Sequence, residues 1–325
     1  MLRFAPVNQV QVKMLSRRLL RIKAVKALYA HFKSESDSIS ASEKNLTQAI
    51  DKTYDLYHQM LWLIVDVARY AEKRLDIARN KKLPTYEDLN PNTKFVDNAV
   101  IAQIANSDRL VAYLERKALG WSQYPELIKS LYDSMSASDY YKEYMASEEH
   151  TYNQDRKFVE DFYLNTVEDN EALEAAVEEQ SILWADDVDF ALVMVNRTIG
   201  MCRKSQNDLP LLPQFKNDDD QAFVKELFRK AILNYDEYLS YIEKFTQNWE
   251  VERIAYMDNI IMVVAISELV NFPSIPVKVT LDEYIDIAKF YSTRNSSVFV
   301  NGVLDKAIAV LKEEGKISKS GRGLL

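Results

Sequence analysis

Apolar residues recur at helical spacing along most of this chain. The clearest example near the start is the segment RRLLRIKAVKALYAHF, residues 17–32. When successive residues are placed 100° apart, the apolar residues that share one side are Ile22, Val25, Leu28, Tyr29 and Phe32. Three arginines, Arg17, Arg18 and Arg21, lie on that same side but nearer the start. The pattern predicts a helix whose apolar stripe is buried and whose first turns project past the edge of the core.

Helical patterns also fill the middle of the chain. A polar loop at 33–42 precedes a long apolar-rich pattern that extends to about Arg79, with Ser40 and Glu43 spaced as a capping box. Two prolines within residues 80–93 interrupt it. Further helical segments follow at about 95–118 and 125–147.

The C-terminal third is the most regularly patterned part. Asp220 follows a proline-containing linker and is predicted to cap a helix, and Thr280 with Glu283 forms a second predicted capping box. The last helix contains the pair Asn301 and Gly302, which more often forms a hairpin. The apolar spacing continues through this pair, so Gly302 is predicted to be helical because another backbone packs close to it.

Composition supports an all-α fold. The 325 residues include only 6 glycines and 8 prolines, too few for the turns of a many-stranded β protein. No apolar run reaches the roughly 20 residues of a membrane helix. Cys202 is the single cysteine, which excludes an intramolecular disulfide and fits a reducing cytoplasm. We therefore expect a cytoplasmic protein without membrane contact.

Two segments 65 residues apart resemble one another. DRKFVEDFYLNTV (155–167) aligns with DQAFVKELFRKAI (220–232), and Trp184 pairs with Trp249 at the same shift. Chance similarity between two amphipathic helices is the alternative. We favour a duplicated helical unit, with its extra copy at 153–200.

Charge is distributed unevenly. Residues 1–34 contain eight Lys or Arg and no acid, so the remainder carries 33 of the 41 bases and all 49 acids, a balance of −16. A basic end on an acidic body is expected where one edge meets a polyanion, although a solvated helix face explains the charge equally well. Charge alone does not choose between an RNA-binding arm and an ordinary basic helix.

Motifs for catalysis, cofactors or metals are absent from the sequence. No glycine-rich phosphate loop occurs, and His31, His58 and His150 each stand outside any metal-binding spacing. The acidic run 161–189 is better explained as a solvated face, or as a surface for a basic protein, than as a metal site. We predict a protein that is not an enzyme and binds no cofactor. The function that remains is recognition of RNA, because phosphates pair with basic side chains and nucleobases stack on aromatic rings.

Two segments resemble the NusB transcription antitermination family. RRLLRIKAVKALY is similar to the family's opening helix, and IPVKVTLDEYIDIAKFYSTRNSSVFVNGVLDKA (275–307) resembles its C-terminal signature more specifically. The resemblance covers 14–34 and 216–316, which leaves 35–215 as a helical insertion. Residues 1–13 and 317–325 are expected to be flexible, and Met14 is an alternative start to Met1.

The resemblance implies NusB-like helical bundles, enlarged here by inserted helices, that hold boxA-like nascent RNA. The implied partners are NusE, a small-subunit ribosomal protein, and the RNA polymerase antitermination complex. The predicted RNA-binding residues are Arg17, Arg18, Arg21, Lys26, Tyr29, Asn295 and Phe299. Glu252 and Asp258 fall where the family faces NusE. Family members commonly have acidic and basic residues just before this Phe. The segment RNSSVF replaces that pattern, and Asn295 and Val298 are the uncharged residues that bear on the RNA contacts there.

Two other functions compete with this one. NusB-like domains also open some RNA cytosine methyltransferases, but that function needs a downstream glycine-rich cofactor domain and a nucleophilic cysteine. A ribosome-assembly or protein-interaction factor that no longer binds RNA is the third, against which the basic arm argues.

Overall fold

The structure, a computed structural model, describes residues 16–34, 38–206, 208–215, 217–246 and 255–324. Of these residues 76% are helical, and no strand occurs among them. The predicted all-α fold is therefore confirmed. Within the same residues, no helix combines the length and apolar character needed to cross a lipid bilayer. The alternative start at Met14 lies outside the described residues.

The chain divides into two compact units. Unit 1 comprises Met1–Ile50 and Gln214–Leu325, and unit 2 comprises Asp51–Pro213. The helix α2 (Ile39–Arg79) runs across the first boundary. The other helices of unit 1 are α1 (Arg17–Lys33), α11 (Asp218–Leu233), α12 (Tyr235–Thr246), α13 (Tyr256–Asn271), α14 (Val277–Tyr291) and α15 (Ser296–Glu313).

Unit 2 contains the remaining α-helices of the described chain. These are α3 (Tyr86–Leu89), α4 (Ala99–Ala105), α5 (Asp108–Lys117), α6 (Pro125–Ala137), α7 (Asp139–Ala146), α8 (Tyr152–Phe162), α9 (Glu171–Gln180) and α10 (Val188–Met201). A π-helical turn, Tyr163–Val167, extends α8. The helix α8 packs on α4, α7 and α10.

The core of unit 1 forms around α13. Every residue from Ile260 to Leu269 is buried, so this helix has no solvent-facing side. Its run IIMVVAISEL is apolar nearly all round, the pattern of a helix enclosed by others. The helices that pack on it are α1, α11, α12, α14 and α15. The arrangement brings the start of α1 against α13 and α14, although they are far apart in sequence.

Three predicted helix caps differ from the structure. Ser38, rather than Ser40, accepts a backbone hydrogen bond near the start of α2, from the Ala41 N–H. The N-cap of α11 is Asn217, which places Asp220 at the third helical position. The helix α14 begins at Val277, so Thr280 lies inside it, where its hydroxyl donates to Glu268 instead. In the last two cases a long-range partner takes the side chain that local sequence assigns to a cap.

Glycines near the C-terminus also differ from expectation. Gly302 is helical as predicted, but a Cβ there would meet nothing within 4 Å, so the predicted close backbone is absent. The close approach occurs at Gly323, where a Cβ would lie 1.9 Å from the Pro273 carbonyl oxygen. Ser320 N–H donates to that carbonyl, and Lys319 Nζ donates to the carbonyl of Leu269. Lys319, Ser320 and Gly323 therefore contact unit 1, and the flexibility expected for 317–325 stays a prediction.

The two similar segments fold alike only in part. Residues 155–162 lie in α8 and residues 220–232 in α11, and the paired Phe-Val residues are buried in both. The first segment then becomes π-helical, whereas the second continues as α-helix. Trp184 is buried, and Trp249 lies outside the described residues. Any amphipathic helix would bury such a pair, so the duplication at 153–200 stays a prediction.

Candidate nucleic-acid interface

Arg17 begins α1 and is the first cation of the predicted arm. Its Nε donates to Asp220 Oδ1 at 2.9 Å, and its guanidinium lies 4.8 Å from the ring centre of Phe223. Both partners belong to α11, and 39% of the Arg17 side chain stays exposed. Asp220 lies in the first turn of α11, where the helix dipole favours a negative charge. Arg17 is therefore positioned at the surface but already has a carboxylate partner.

The carboxylates that face Arg18 are more exposed than the partner of Arg17. Arg18 Nη1 lies 3.0 Å from Asp286 Oδ2 and 3.7 Å from Glu283 Oε2, both on α14. The exposed fractions of the Arg18 and Asp286 side chains are 35% and 51%. Because exposed ion pairs contribute little net free energy, this guanidinium is the more readily available of the two.

Arg21 does not lie at the surface, contrary to the prediction. Only 3% of it is exposed, and it makes two hydrogen bonds to the fully buried Glu268, of 2.7 and 2.9 Å. Thr280 and Tyr284 also donate to this carboxylate. Burial disfavours the charged form of Arg21, but the carboxylate of Glu268 outweighs it and raises the Arg21 pKa. Its role is to hold α1 against α13, and direct RNA contact through Arg21 is withdrawn.

The start of α1 consequently does not project from the core. Leu19, Leu20 and Arg21 are all buried within the first two turns of the helix. Arg21 can be buried in this stripe because Glu268 supplies the charge that a buried arginine requires. Of the apolar residues predicted to be buried, Val25 and Leu28 are, whereas Ile22, Tyr29 and Phe32 are half-buried.

Lys26, Asn295 and Phe299 lie at or near the junction of α14 and α15. The ammonium group of Lys26 lies 4.8 Å from the ring centre of Tyr291, the last residue of α14. Asn295 is exposed at the N-cap of α15, and Phe299 is half-buried one turn later. Exposed Val298 occupies the preceding position. Lys26 therefore lies beside the end of α14, and the chain continues from there to Asn295 and Phe299.

Tyr29 is half-buried on the other side of α13's start. Its ring meets Tyr256 edge to face, with ring centres 5.6 Å apart, and Lys33 Nζ lies 4.5 Å from the centre of the Tyr256 ring. Tyr29 therefore lies among an aromatic ring and a cation, two groups that also occur where single-stranded RNA binds.

Asp258 is not a surface residue, and its predicted contact with NusE is withdrawn. Only 3% of it is exposed, and its Oδ2 accepts a 2.8 Å hydrogen bond from Ser296 Oγ. Burial raises its pKa, although the Ser292 and Ser296 hydroxyls oppose that rise. Asp258 instead ties the start of α13 to the turn before α15. Glu252, the other predicted NusE-facing residue, lies outside the described residues.

Two other potentially reactive groups of the described chain, Cys202 and His58, are buried. Cys202 is buried, and burial raises its thiol pKa to about 11, which disfavours the nucleophilic thiolate at neutral pH. His58 is buried against Tyr113, and burial lowers its pKa to about 4. Across the described residues, no group of three or more His, Cys, Asp or Glu side chains is arranged to hold a metal ion.

Sequence reasoning missed the acids that face the arm. These are Asp220, Glu268, Glu283 and Asp286. Two signals could have revealed them. Glu268 is the only charged residue in the buried run 260–269, and such a charge needs a partner. Glu283 and Asp286 are spaced i, i+3 and so share one side of α14.

Comparisons with known proteins agree on one family. A model described as "NusB family" matches residues 192–309, starting earlier than the predicted residue 216. A "Transcription antitermination protein NusB" from Salinibacter ruber is 38% identical over 129 residues, which is 40% of this chain and 81% of that protein. A protein of the same name from Chloroherpeton thalassium is 41% identical over 103 residues, 32% of this chain and 49% of that protein.

A solved structure, T. maritima NusB, matches 45% of this chain and 91% of its own, with 24% identity and a TM-score of 0.29. The matches to the two NusB proteins cover 40% and 32% of this chain, so more than half of it has no counterpart in either relative. On the identity to the Salinibacter ruber protein and the share of it that is matched, the chain belongs to the NusB family.

Proposed function

We propose that this protein is an RNA-binding transcription antitermination factor of the cytoplasm, without enzymatic activity or cofactor. It holds boxA-type nascent RNA together with NusE and joins the RNA polymerase antitermination complex. Family membership supports the role in transcription. The pairing with NusE rests on that membership alone, since Asp258 is buried.

One observation carries the RNA-binding proposal. Helix α1 places two partly exposed arginines, Arg17 and Arg18, on the same element as Lys26 and Tyr29. Guanidinium groups bind phosphates through paired N–H donors, and a half-buried tyrosine supplies a ring for a nucleobase. Arg21 contributes indirectly by holding the helix in place.

Simultaneous Arg17→Ala and Arg18→Ala substitutions test this proposal. We expect weaker binding of a boxA-type RNA and a flatter dependence of log affinity on log salt, because each lost phosphate contact reduces the slope by about 0.7 to 0.9. Fluorescence anisotropy across a salt series, with circular dichroism to verify folding, provides the measurement.

The matched control removes two positive charges elsewhere in unit 1. Lys306 and Lys312 are exposed on α15, so Lys306→Ala with Lys312→Ala makes the same change in net charge. If both double variants lose affinity equally, binding follows total charge and not the arm. If the arm variant binds as tightly as wild type, the proposal that α1 binds RNA is wrong.

A further inference from the structure

All three arginines at the start of α1 face a carboxylate within unit 1. The pairs are Arg17 with Asp220, Arg18 with Asp286, and Arg21 with Glu268. A sequence count of eight bases without an acid suggested an unneutralised arm, but the fold brings acids to it from α11, α13 and α14. An RNA phosphate that binds these arginines therefore meets carboxylates already in place.

The three pairs differ in how readily they can separate. The Arg21–Glu268 pair is buried, with side chains 4% and 0% exposed, so separating it would leave a charge without water or partner. Asp220 is 9% exposed, and Arg17 is also held against the Phe223 ring. The Arg18–Asp286 pair is open to solvent on both sides, so each member can be hydrated when it leaves the other.

Glu283 makes it still easier to separate Arg18 from Asp286. Its Oε2 lies 3.7 Å from Arg18 Nη1 and 3.8 Å from Arg21 Nη1. When Arg18 turns away, Glu283 keeps the buried Arg21 as a cationic neighbour, and Asp286 is left to water. No buried charge loses its last partner in the process.

We propose that Asp286 competes with an RNA phosphate for Arg18 and thereby sets the RNA affinity of this protein. The inference rests on the proposed RNA-binding function. Carboxylate and phosphate oxygens accept from the same N–H donors of a guanidinium, so the two anions bind Arg18 alternately. After exchange the Asp286 carboxylate stays near the phosphate and repels it. Asp286 thus lowers affinity twice, by occupying Arg18 and by its remaining charge.

The substitution Asp286→Asn in the full chain tests this competition. We expect the variant to bind a boxA-type single-stranded RNA about three- to tenfold more tightly than wild type at low salt, with the gain shrinking as salt screens the charge. The control is Asp282→Asn, an exposed acid of the same helix that forms no ion pair within the described chain. It makes the same change in net charge, and we expect less than about a twofold effect from this screened, unpaired site.

A double-mutant cycle with Arg18→Ala identifies the partner. In that background the effect of Asp286→Asn should fall clearly below its effect in wild type, because the group for which Asp286 competes is gone and only the repulsion by its charge remains. If Asp286→Asn and Asp282→Asn remain equal in the wild-type background, the competition does not exist. Weaker binding by Asp286→Asn would also overturn it, since Asp286 would then orient Arg18 for RNA.

These outcomes are separate from failure of the proposed function. If the wild-type chain gives no salt-dependent RNA binding, or the Arg17 and Arg18 double variant binds like wild type, the RNA-binding function itself is wrong. If the double variant weakens binding but Asp286→Asn has no effect beyond its control, the function stands and only the competition is refuted.

Discussion

Within the described residues each unit contains one helical segment enclosed on all sides, and only the second adds a neutral imidazole to a paired charge. In unit 1 it is Ile260–Leu269 of α13, and in unit 2 it is Asp55–Val65 of α2. The first contains Glu268, whose charge is matched by Arg21. The second contains Asp55, whose carboxylate lies 3.3 Å from Lys117 Nζ. It also contains His58, whose low pKa leaves the ring neutral at physiological pH. A helix without a solvent-facing side must pair a charge or avoid it.

The units also differ in net charge. By sequence, 18 of the 41 basic and 29 of the 49 acidic residues lie in unit 2, which gives it −11. Unit 1 has the other 23 bases and 20 acids, a balance of +3. Only unit 1 has a charge suited to a polyanion, and the cations predicted to bind RNA all belong to it.

The largest expected effect comes from removing the charge of Glu268. Glu268→Gln leaves Arg21 as a buried cation without a counter-charge, so we expect the free energy of unfolding to fall by about 3–5 kcal/mol. Urea denaturation of the full chain will measure the loss in free energy of unfolding. Hydrogen exchange of the amides in α13 and in α2 will show which helix is destabilised. We expect α13 to lose protection before α2 does.

The exposed pair provides the matched comparison. Asp286→Asn removes a carboxylate from Arg18, and because both groups are partly solvated it should change stability by less than about 1 kcal/mol. Equal losses in the two variants would show that burial does not distinguish the pairs.

Much of the fold could be predicted from the sequence, because apolar spacing reports burial directly. The helix around Gly302 is present, and in the predicted stripe of α1 Val25 and Leu28 are buried while Ile22, Tyr29 and Phe32 are half-buried. Helix starts were less accurate. Thr280 fits a capping box locally, but its hydroxyl binds Glu268, a residue on another helix. Local spacing contains no information about such a partner.

The candidate site was predictable only in part. The sequence identified the cations of α1, but it could not show that Arg21 is buried or that Asp286 faces Arg18. Both facts depend on how α13 and α14 pack against α1. Asp258 was assigned to a surface on its residue type, whereas the serines of the turn before α15 bury its carboxylate. The missing information concerned tertiary partners and not helix formation.

The next prediction uses pH to test whether the buried His58 imidazole of unit 2 is neutral. His58 Nδ1 lies 2.8 Å from the Tyr54 carbonyl oxygen, which only accepts, so Nδ1 carries the proton. The ring stacks on Tyr113 with centres 3.7 Å apart. Burial lowers the pKa from 6.5 to about 4, so between these values the unfolded chain binds more protons. The contribution of the neutral His58 ring to the free energy of unfolding is complete above pH 6.5 and is lost as the pH falls through 4.

Replacing the imidazole should remove this pH dependence. From pH 7 to pH 4 we expect wild type to lose up to about 3 kcal/mol more stability than His58→Phe, measured by urea denaturation at each pH. His150, an exposed histidine of the same unit, provides the control substitution His150→Phe. A wild-type curve parallel to that of His58→Phe would mean that His58 is not kept neutral by folding.

The last pair of substitutions asks whether the C-terminal residues help to enclose α13. They pack at the C-terminal end of that helix, where Lys319 Nζ donates to the Leu269 carbonyl and Gly323 lies against Pro273. Gly323→Ala would place its methyl group 1.9 Å from the Pro273 carbonyl oxygen, so the segment must move away. We expect a loss of about 1–2 kcal/mol in the free energy of unfolding and faster hydrogen exchange of the Ser320 amide.

The control is Gly302→Ala, where an added Cβ meets nothing within 4 Å, and it should instead stabilise α15 by about 0.5–1 kcal/mol. Opposite signs at these two glycines would establish that the contact with Pro273, and not the general cost of replacing glycine, closes unit 1 at this end.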